Sequence, residues 1–194
     1  INDRFARKAI EKGADGIVAV AAGAGGHAGT QSPFALVREI REWFQGPLLM
    51  SGAISHGQSV LAALAAGADF AYVGSAFLAT KEANAHPEYK DMIVQSVASD
   101  IIYSNLFTGV HGNYLRGSIE AAGMDPSNLP ESDPSTMNFG TSNDSDAKAW
   151  KDIWGAGQGV GSVKEIQTTG ALVARLKREF LAAQDQLRTR LADF

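Results

Sequence analysis

The sequence contains no cysteine, which excludes disulfide bonds and thiolate chemistry from this chain. It also lacks an excess of positive charge, because the formal net charge is −4. That balance provides no electrostatic attraction for nucleic acids or acidic membrane surfaces. No apolar run approaches the roughly 18 residues that a membrane span requires, and no signal peptide opens the chain. These absences predict a cytoplasmic protein with neither a nucleic-acid partner nor a membrane partner.

Apolar residues, by contrast, are plentiful. A hydrophobic fraction of 45% over 194 residues is sufficient for the core of one sizeable globular domain. The opening stretch INDRFARKAIEKG has an amphipathic helical pattern, with Phe5 and Ile10 on its apolar side and Gly13 as the C-cap. Because the chain starts at Ile1, without methionine and already inside this pattern, we expect it to be the interior of a longer polypeptide.

Short apolar runs alternate with helical patterns up to about residue 80. The predicted strands are 16–21, 47–52 and 70–75. A helix is predicted after the first strand, with Ser32 as its N-cap and Pro33 at its first position. A second helix is predicted over 57–66. Strands that alternate with helices indicate parallel βαβ units, so the fold class is predicted to be α/β.

Each predicted strand ends in small residues, within the sequences AAGAGG, SGA and GS. Parallel α/β folds bind their ligands at the carboxyl ends of the strands, so these residues are expected on one active face. An ordinary tight turn is the alternative interpretation of any single loop. The neighbouring endings SGA and VGS offer backbone N–H groups and space for one phosphate. This arrangement is typical of the last two strands of a (β/α)8 barrel.

His27 closes the run AGAGGH, where no neighbouring side chain crowds it. An imidazole exposed in this way can transfer protons, bind a metal or flank a helix. Neither an HEXXH motif nor a cluster of carboxylates is present, and no pair of histidines has metal-ligand spacing. We therefore predict no metal site.

Three segments carry a family resemblance: GADGIVAVAAGAGGHAG, PLLMSGAISHGQSVLAALAAGADFAYVGSAFLAT and AHPEYK. Together they resemble the nitronate monooxygenases, formerly called 2-nitropropane dioxygenases, over most of residues 10–120. A weaker similarity follows at 157–166. The resemblance implies an FMN-dependent flavoprotein with a TIM-barrel fold, of which this chain would hold about strands 6–8, the C-terminal helices and a long loop. A single phosphate site without a dinucleotide GxGxxG motif agrees with FMN rather than FAD.

The resemblance also implies functional residues. His27 matches the active-site histidine of the family. The matched cofactor-binding positions are Gly25, Gly26, Gly52, Ala53, Tyr72, Val73, Gly74 and Ser75. Three positions depart from the family pattern: Ala24 stands where many members have Glu-Ala, Ala53 replaces the second of two glycines, and Tyr72 replaces a common glutamine. A backbone donor survives a change from glycine to alanine where φ is negative, so we expect the phosphate site to be retained.

The activity that the resemblance implies is the oxidation of alkyl nitronates or nitroalkanes with O2, by an oxidoreductase of the monooxygenase class. Histidine titrates near neutral pH and can take the proton from the carbon next to a nitro group, so His27 is the expected base. Two alternatives stay open: a flavin-dependent enoyl-acyl carrier protein reductase that uses NADH, and an inactive half-barrel fragment. A barrel of the inosine monophosphate dehydrogenase type is excluded, because its catalytic loop carries a cysteine.

Beyond residue 80 the patterns are less regular. A helix is predicted over 88–107, with the IIYSNLF stretch at its end either strand-like or helical. A loop rich in Pro, Ser, Asn and Asp is predicted over 123–148, as a lid or an interface. A long amphipathic helix from about residue 170 is expected to pack on the barrel or on a second subunit of a homodimer. The predicted units are 1–120 (barrel part), 121–160 (loop or lid) and 161–194 (C-terminal helix).

The other histidines and two tryptophans have weaker interpretations. His56 lies either near the predicted phosphate site or at a solvated helix start. His86 is expected to be structural, and His111 either points into the active site or does not. Trp150 and Trp154 are spaced to anchor one helical face. The GQGVG stretch that follows either returns to the active face or forms a plain turn.

Overall fold

A computed structural model of the chain describes residues 1–132 and 152–192. The strands are β1 (Ile17–Val20), β2 (Gly26–His27), β3 (Leu48–Ser51), β4 (Phe70–Tyr72), β5 (Ile101–Ser104) and β6 (Gly112–Leu115). The α-helices are α1 (Asp3–Glu11), α2 (Pro33–Arg41), α3 (Gly57–Ala65), α4 (Ser75–Leu78), α5 (Pro87–Gln95), α6 (Arg116–Ala121) and α7 (Thr169–Leu191). Short 3-10 helices cover Ala98–Asp100 and Gln158–Ser162.

The first sheet is parallel and has the order β1-β3-β4. Its register places Ile17 opposite Leu48 and Leu49 opposite Phe70. Helices α2 and α3 are the crossovers between these strands, as parallel strands require. Leu36 of α2 is fully buried against the sheet, in one core with the β1 and β3 side chains. The predicted α/β class and the predicted alternation of strands and helices are therefore confirmed.

The third predicted strand is shorter than expected. The predicted strand over 70–75 ends at Tyr72, and a short helix begins at Ser75. The cause is local: Gly74 has φ −110° and ψ −74°, which turns the chain out of the extended conformation. The chain therefore presents the amide groups of a helix start, rather than a strand end, at this edge of the sheet.

A second sheet, which the sequence patterns did not predict, is antiparallel with the order β2-β6-β5. The helix predicted over 88–107 ends at Gln95, because Ser96 and Val97 are extended. The following residues, 101–104, form β5 and pair with β6. Isoleucines within this stretch favour a pleated strand surface once a partner strand is available. The first strand of this second sheet is β2, which lies at the end of the glycine run that follows β1.

The C-terminal helix α7 packs against α3. Its N-cap is Thr168, whose hydroxyl accepts the Ala171 N–H at 3.2 Å. Leu172 and Ala183 are its buried residues, and the backbones of the two helices approach closely at Gly57. Helix α7 thus contacts the parallel α/β unit through α3, and its packing on a barrel or on a second subunit stays a prediction. Trp150 and most of the predicted 123–148 loop lie outside the described residues.

Three predictions concern the chain as a whole: the lack of a membrane span, the division into units and the homodimer. Within the described ranges, no helix combines the length and the apolar character that crossing a bilayer demands. The division into units 1–120, 121–160 and 161–194 stays a prediction, as does the homodimer.

Candidate active site

The small residues at the ends of β1, β3 and β4 surround a cavity of about 590 Å³. This volume is within the range of roughly 300–1,000 Å³ that small-molecule sites occupy. All eight residues predicted to bind a cofactor line this cavity: Gly25, Gly26, Gly52, Ala53, Tyr72, Val73, Gly74 and Ser75. The structure thus brings together positions from three loops that are distant in sequence.

A fourth segment, 155–159, forms another wall of the same cavity. The Gly157 N–H donates to the Ser75 hydroxyl at 2.9 Å, and the Gln158 N–H donates to the Gly23 carbonyl at 2.9 Å. The contact requires glycine, since a Cβ at Gly157 would lie 2.5 Å from the Gly23 carbonyl oxygen. Of the two interpretations of the GQGVG stretch, the return to the active face is the one that the structure shows.

The loop after β3 corrects one expectation. Ala53 has φ +55°, in the left-handed region that favours glycine. The expectation that its backbone N–H holds a phosphate depended on a negative φ and is therefore wrong at this residue. Its N–H is also committed to the chain, because it donates to the Gly23 carbonyl at 3.2 Å. Ala53 therefore closes the loop against the glycine run, and its amide is not free to hold a phosphate.

Replacing Ala53 by glycine is expected to raise the free energy of unfolding. A left-handed alanine costs roughly 1–2 kcal/mol, and the greater freedom of glycine in the unfolded chain offsets about 0.4–1 kcal/mol of that relief. Urea denaturation should therefore show a net gain of up to about 1.6 kcal/mol. The matched control is Ala174→Gly at an exposed position within α7, which should lose about 1 kcal/mol. Equal losses in the two variants would contradict this account of residue 53.

His27 lies beside the cavity, in strand β2. It is opposite Gly112 of β6, and its exposed side chain has Nε2 2.8 Å from the Thr108 hydroxyl. A neighbouring cavity of about 330 Å³ is lined by His27 together with aromatic side chains. Because the two cavities share Gly26, His27 lies next to the space enclosed by the predicted cofactor residues. Its place in a strand, well before α2 begins, separates it from any helix cap.

Tyr89 lines both cavities, and Trp154 lines the smaller one beside His27. The Tyr89 ring stacks on Trp154, with centroids 5.0 Å apart and planes inclined by 14°. The Tyr89 hydroxyl donates a short hydrogen bond to the Gly155 carbonyl. Burial raises the pKa of Tyr89 to about 12, so the phenol stays neutral and remains a donor at ordinary pH. The aromatic wall beside His27 therefore carries no charge.

Comparison with known proteins identifies the chain's relatives. The family model described as nitronate monooxygenase matches residues 4–179 of the chain. The chain belongs to the nitronate monooxygenase family. A nitronate monooxygenase from Paraburkholderia phytofirmans is 31% identical over 91% of this chain and 52% of its own length. The chain thus spans about half the length of the curated relatives that it matches.

Solved structures agree with this placement. A nitroalkane oxidase from Streptomyces ansochromogenes superposes with a TM-score of 0.75 at 27% identity, over 96% of this chain and 57% of that one. FabK from Thermotoga maritima superposes equally well, with a TM-score of 0.75 over 97% of this chain and 61% of its own. At 23% identity, the likeness to FabK shows the fold alone.

The remaining histidines do not line either of the two cavities. His56 is the N-cap of α3: Nδ1 accepts the Gln58 N–H at 3.1 Å, and Nε2 lies 3.3 Å from Glu179. His86 stacks on Trp154, and His111 stacks on Tyr103 with centroids 5.0 Å apart. Among the described residues, no three His, Asp or Glu side chains are grouped to hold a metal ion.

Proposed function

We propose that the protein carries out FMN-dependent oxidation of alkyl nitronates or nitroalkanes with O2. One observation carries the proposal: in a chain of the nitronate monooxygenase family, every residue matched to cofactor binding lines one cavity, and His27 lies at the cavity next to it. His27 is the proposed base. The proposed partners of the protein are accordingly O2 and a small-molecule nitronate or nitroalkane. The cytoplasmic location of the protein stays a prediction.

The residues at the end of β4 fit a phosphate group. A Cβ built at Gly74 would meet no atom within 4 Å, so space is open there for a ligand. The first amide groups of a helix have no partner within the helix, so the Ser75 N–H at the start of α4 is available to a ligand. The Ser75 hydroxyl accepts from Gly157, and its own hydrogen can donate to an anion. This cluster would hold the single phosphate of FMN.

The chemistry divides between the cofactor and the chain. When bound, FMN supplies the two-electron oxidation and the reaction with O2. The chain's own part is the removal of a proton from the carbon next to the nitro group, which His27 can accept from a neutral nitroalkane. A preformed nitronate has already lost this proton and needs only binding. The glycines beside His27 permit close approach of substrate and cofactor to the backbone.

The architecture is also part of the proposal. The three parallel strands β1, β3 and β4 are proposed to be strands 6, 7 and 8 of a TIM barrel. Their order and their small-residue endings support this assignment, and so does the greater length of the relatives. The phosphate cluster then lies between the last two strands, where such barrels commonly bind phosphate.

The test of the proposal is the identity and the reactivity of the bound flavin. Protein purified from its natural host should show a flavin visible spectrum, and the released cofactor should migrate with an FMN standard. In anaerobic stopped-flow measurements, a nitronate should reduce the flavin and NADH should not. Reduction by NADH alone would favour the enoyl-acyl carrier protein reductase, and a protein of native mass that binds no flavin would favour the inactive fragment. Release of FAD alone would contradict the cofactor assignment.

A further inference from the structure

A threonine from a distant loop contacts the proposed base. Residues 105–111 connect β5 to β6, and β6 pairs with β2, so this loop lies over His27. The Thr108 hydroxyl is 2.8 Å from Nε2 of His27. Neither the sequence motifs nor the family resemblance singled out Thr108.

The hydrogen-bonding capacity of the hydroxyl decides which atom carries the proton. A threonine hydroxyl has one hydrogen to donate and two lone pairs that accept. The Thr108 hydroxyl donates to the Val110 carbonyl at 2.9 Å and accepts the Val110 N–H at 3.3 Å. When this hydrogen is directed to the Val110 carbonyl, the hydroxyl faces Nε2 with a lone pair. In that arrangement Nε2 is the donor and carries the hydrogen of the ring.

The other ring nitrogen is consequently the basic one. In neutral imidazole one nitrogen carries the hydrogen and the other has a free lone pair. Within residues 1–132 and 152–192, Nδ1 of His27 has no hydrogen-bond partner. Its lone pair is therefore available to a substrate.

We propose that Thr108 is a positioning residue that keeps the hydrogen of His27 on Nε2 and thereby makes Nδ1 the atom that takes the substrate proton. This inference rests on the proposed function of His27 as a base. In the step, the C–H bond next to the nitro group breaks, its electron pair remains on the nitronate, and the proton forms an N–H bond at Nδ1. Thr108 accepts from Nε2 before and after the transfer, so the ring need not reorient when it becomes cationic.

Hydrogen bonds that do not involve Thr108 also hold the 105–111 loop in place. The Gly109 N–H donates to the Asn105 carbonyl at 2.8 Å, and the Asn105 side chain is itself hydrogen bonded to the backbone of Ser132. Valine has nearly the shape of threonine without the hydroxyl. Thr108→Val is therefore expected to fold, and it removes the contact with His27 together with the two hydrogen bonds to Val110. Thr108→Ser keeps the hydroxyl and is the rescue variant.

The experiment combines nitrogen NMR with kinetics on the flavin-loaded native protein. Histidine is labelled with nitrogen-15, and the His27 signals are assigned by their loss in His27→Asn. The parent and Thr108→Ser should show hydrogen on Nε2, whereas Thr108→Val should show a mixture of both tautomers. For a neutral nitroalkane, kcat/KM should fall about tenfold in Thr108→Val, the usual effect of one hydrogen bond, and recover to within about threefold in Thr108→Ser. Turnover of the preformed nitronate should change less than about threefold in both variants.

The outcomes separate this inference from the proposed function. Hydrogen on Nδ1 in the parent, or an unchanged tautomer in Thr108→Val, would overturn the inference whatever the activity is. Equal losses on both substrates in Thr108→Val would indicate a purely structural role and would also overturn it. Failure of His27 as a base appears instead in His27→Asn, with the tautomer measurement unaffected. Thr30→Val, at another exposed threonine, is the matched control and should change neither readout.

Discussion

Replacing His27 by asparagine should lower kcat/KM for neutral nitroalkanes by about 10²–10⁴-fold, the usual contribution of a positioned general base. Asparagine is a smaller polar residue whose amide cannot take a proton near neutral pH. Turnover of the preformed nitronate should fall far less, since that substrate arrives deprotonated. Steady-state kinetics on the two substrates, with the flavin content of each preparation measured, gives the comparison.

The control for this substitution is His111→Asn. His111 lies on the same 105–111 loop, but its ring stacks on Tyr103 and lines a different cavity from His27. We expect that variant to keep turnover of both substrates within about threefold of the parent. Equal losses on both substrates in the His27 variant would mean that His27 binds or orients the substrate and does not abstract a proton.

Replacing Gly74 by valine should weaken FMN binding by roughly 10–100-fold, because overfilling a closely packed site costs about 1–3 kcal/mol. The open space at Gly74 makes the effect specific to the ligand. No protein atom lies within 4 Å of a Cβ built there, and φ is negative, so the backbone tolerates a side chain. Titration of the flavin-free protein with FMN measures the affinity, and thermal unfolding without flavin should be almost unchanged.

Two smaller substitutions calibrate the Gly74 result. Gly74→Ala adds only one methyl group and should have a lesser effect than valine. Ser75→Ala should weaken FMN binding by about tenfold, because a hydrogen bond to a charged group contributes roughly 1.5–3 kcal/mol. If Gly74→Val binds FMN as tightly as the parent, the phosphate lies elsewhere and the proposed site is wrong.

The parallel sheet could be predicted from the sequence because its signals are local. Apolar runs marked β1 and β3 to within one residue at each end, and Pro33 opens α2 at the predicted position. The cavity followed from a general rule, since small residues at neighbouring strand ends meet at one edge of a parallel sheet. The family resemblance then predicted which residues bind the cofactor, and the structure places all of these residues around one cavity.

The surroundings of His27 could not be predicted in the same way. Strand β2 has only two residues, and its partner strand β6 comes much later in the chain, so no local period indicates the pairing. Thr108 belongs to none of the sequence motifs, so its contact with His27 could not be predicted. The left-handed conformation of Ala53 could not be predicted for a different reason. Alanine ordinarily avoids positive φ, and contacts with the surrounding chain hold Ala53 in this conformation.

The antiparallel pairing at His27 has a consequence for biosynthesis. Thr108 follows His27 by 81 residues, and the Gly159 carbonyl that receives the Ser55 hydroxyl follows that serine by 104 residues. At about 5–20 residues per second, a ribosome that has just made His27 needs roughly 4–16 s more to make Thr108. During that interval the glycine run lacks its pairing with β6. Segment 155–159, which lines the same cavity, is made later still, so the walls of the cavity are complete only after that segment has been synthesised.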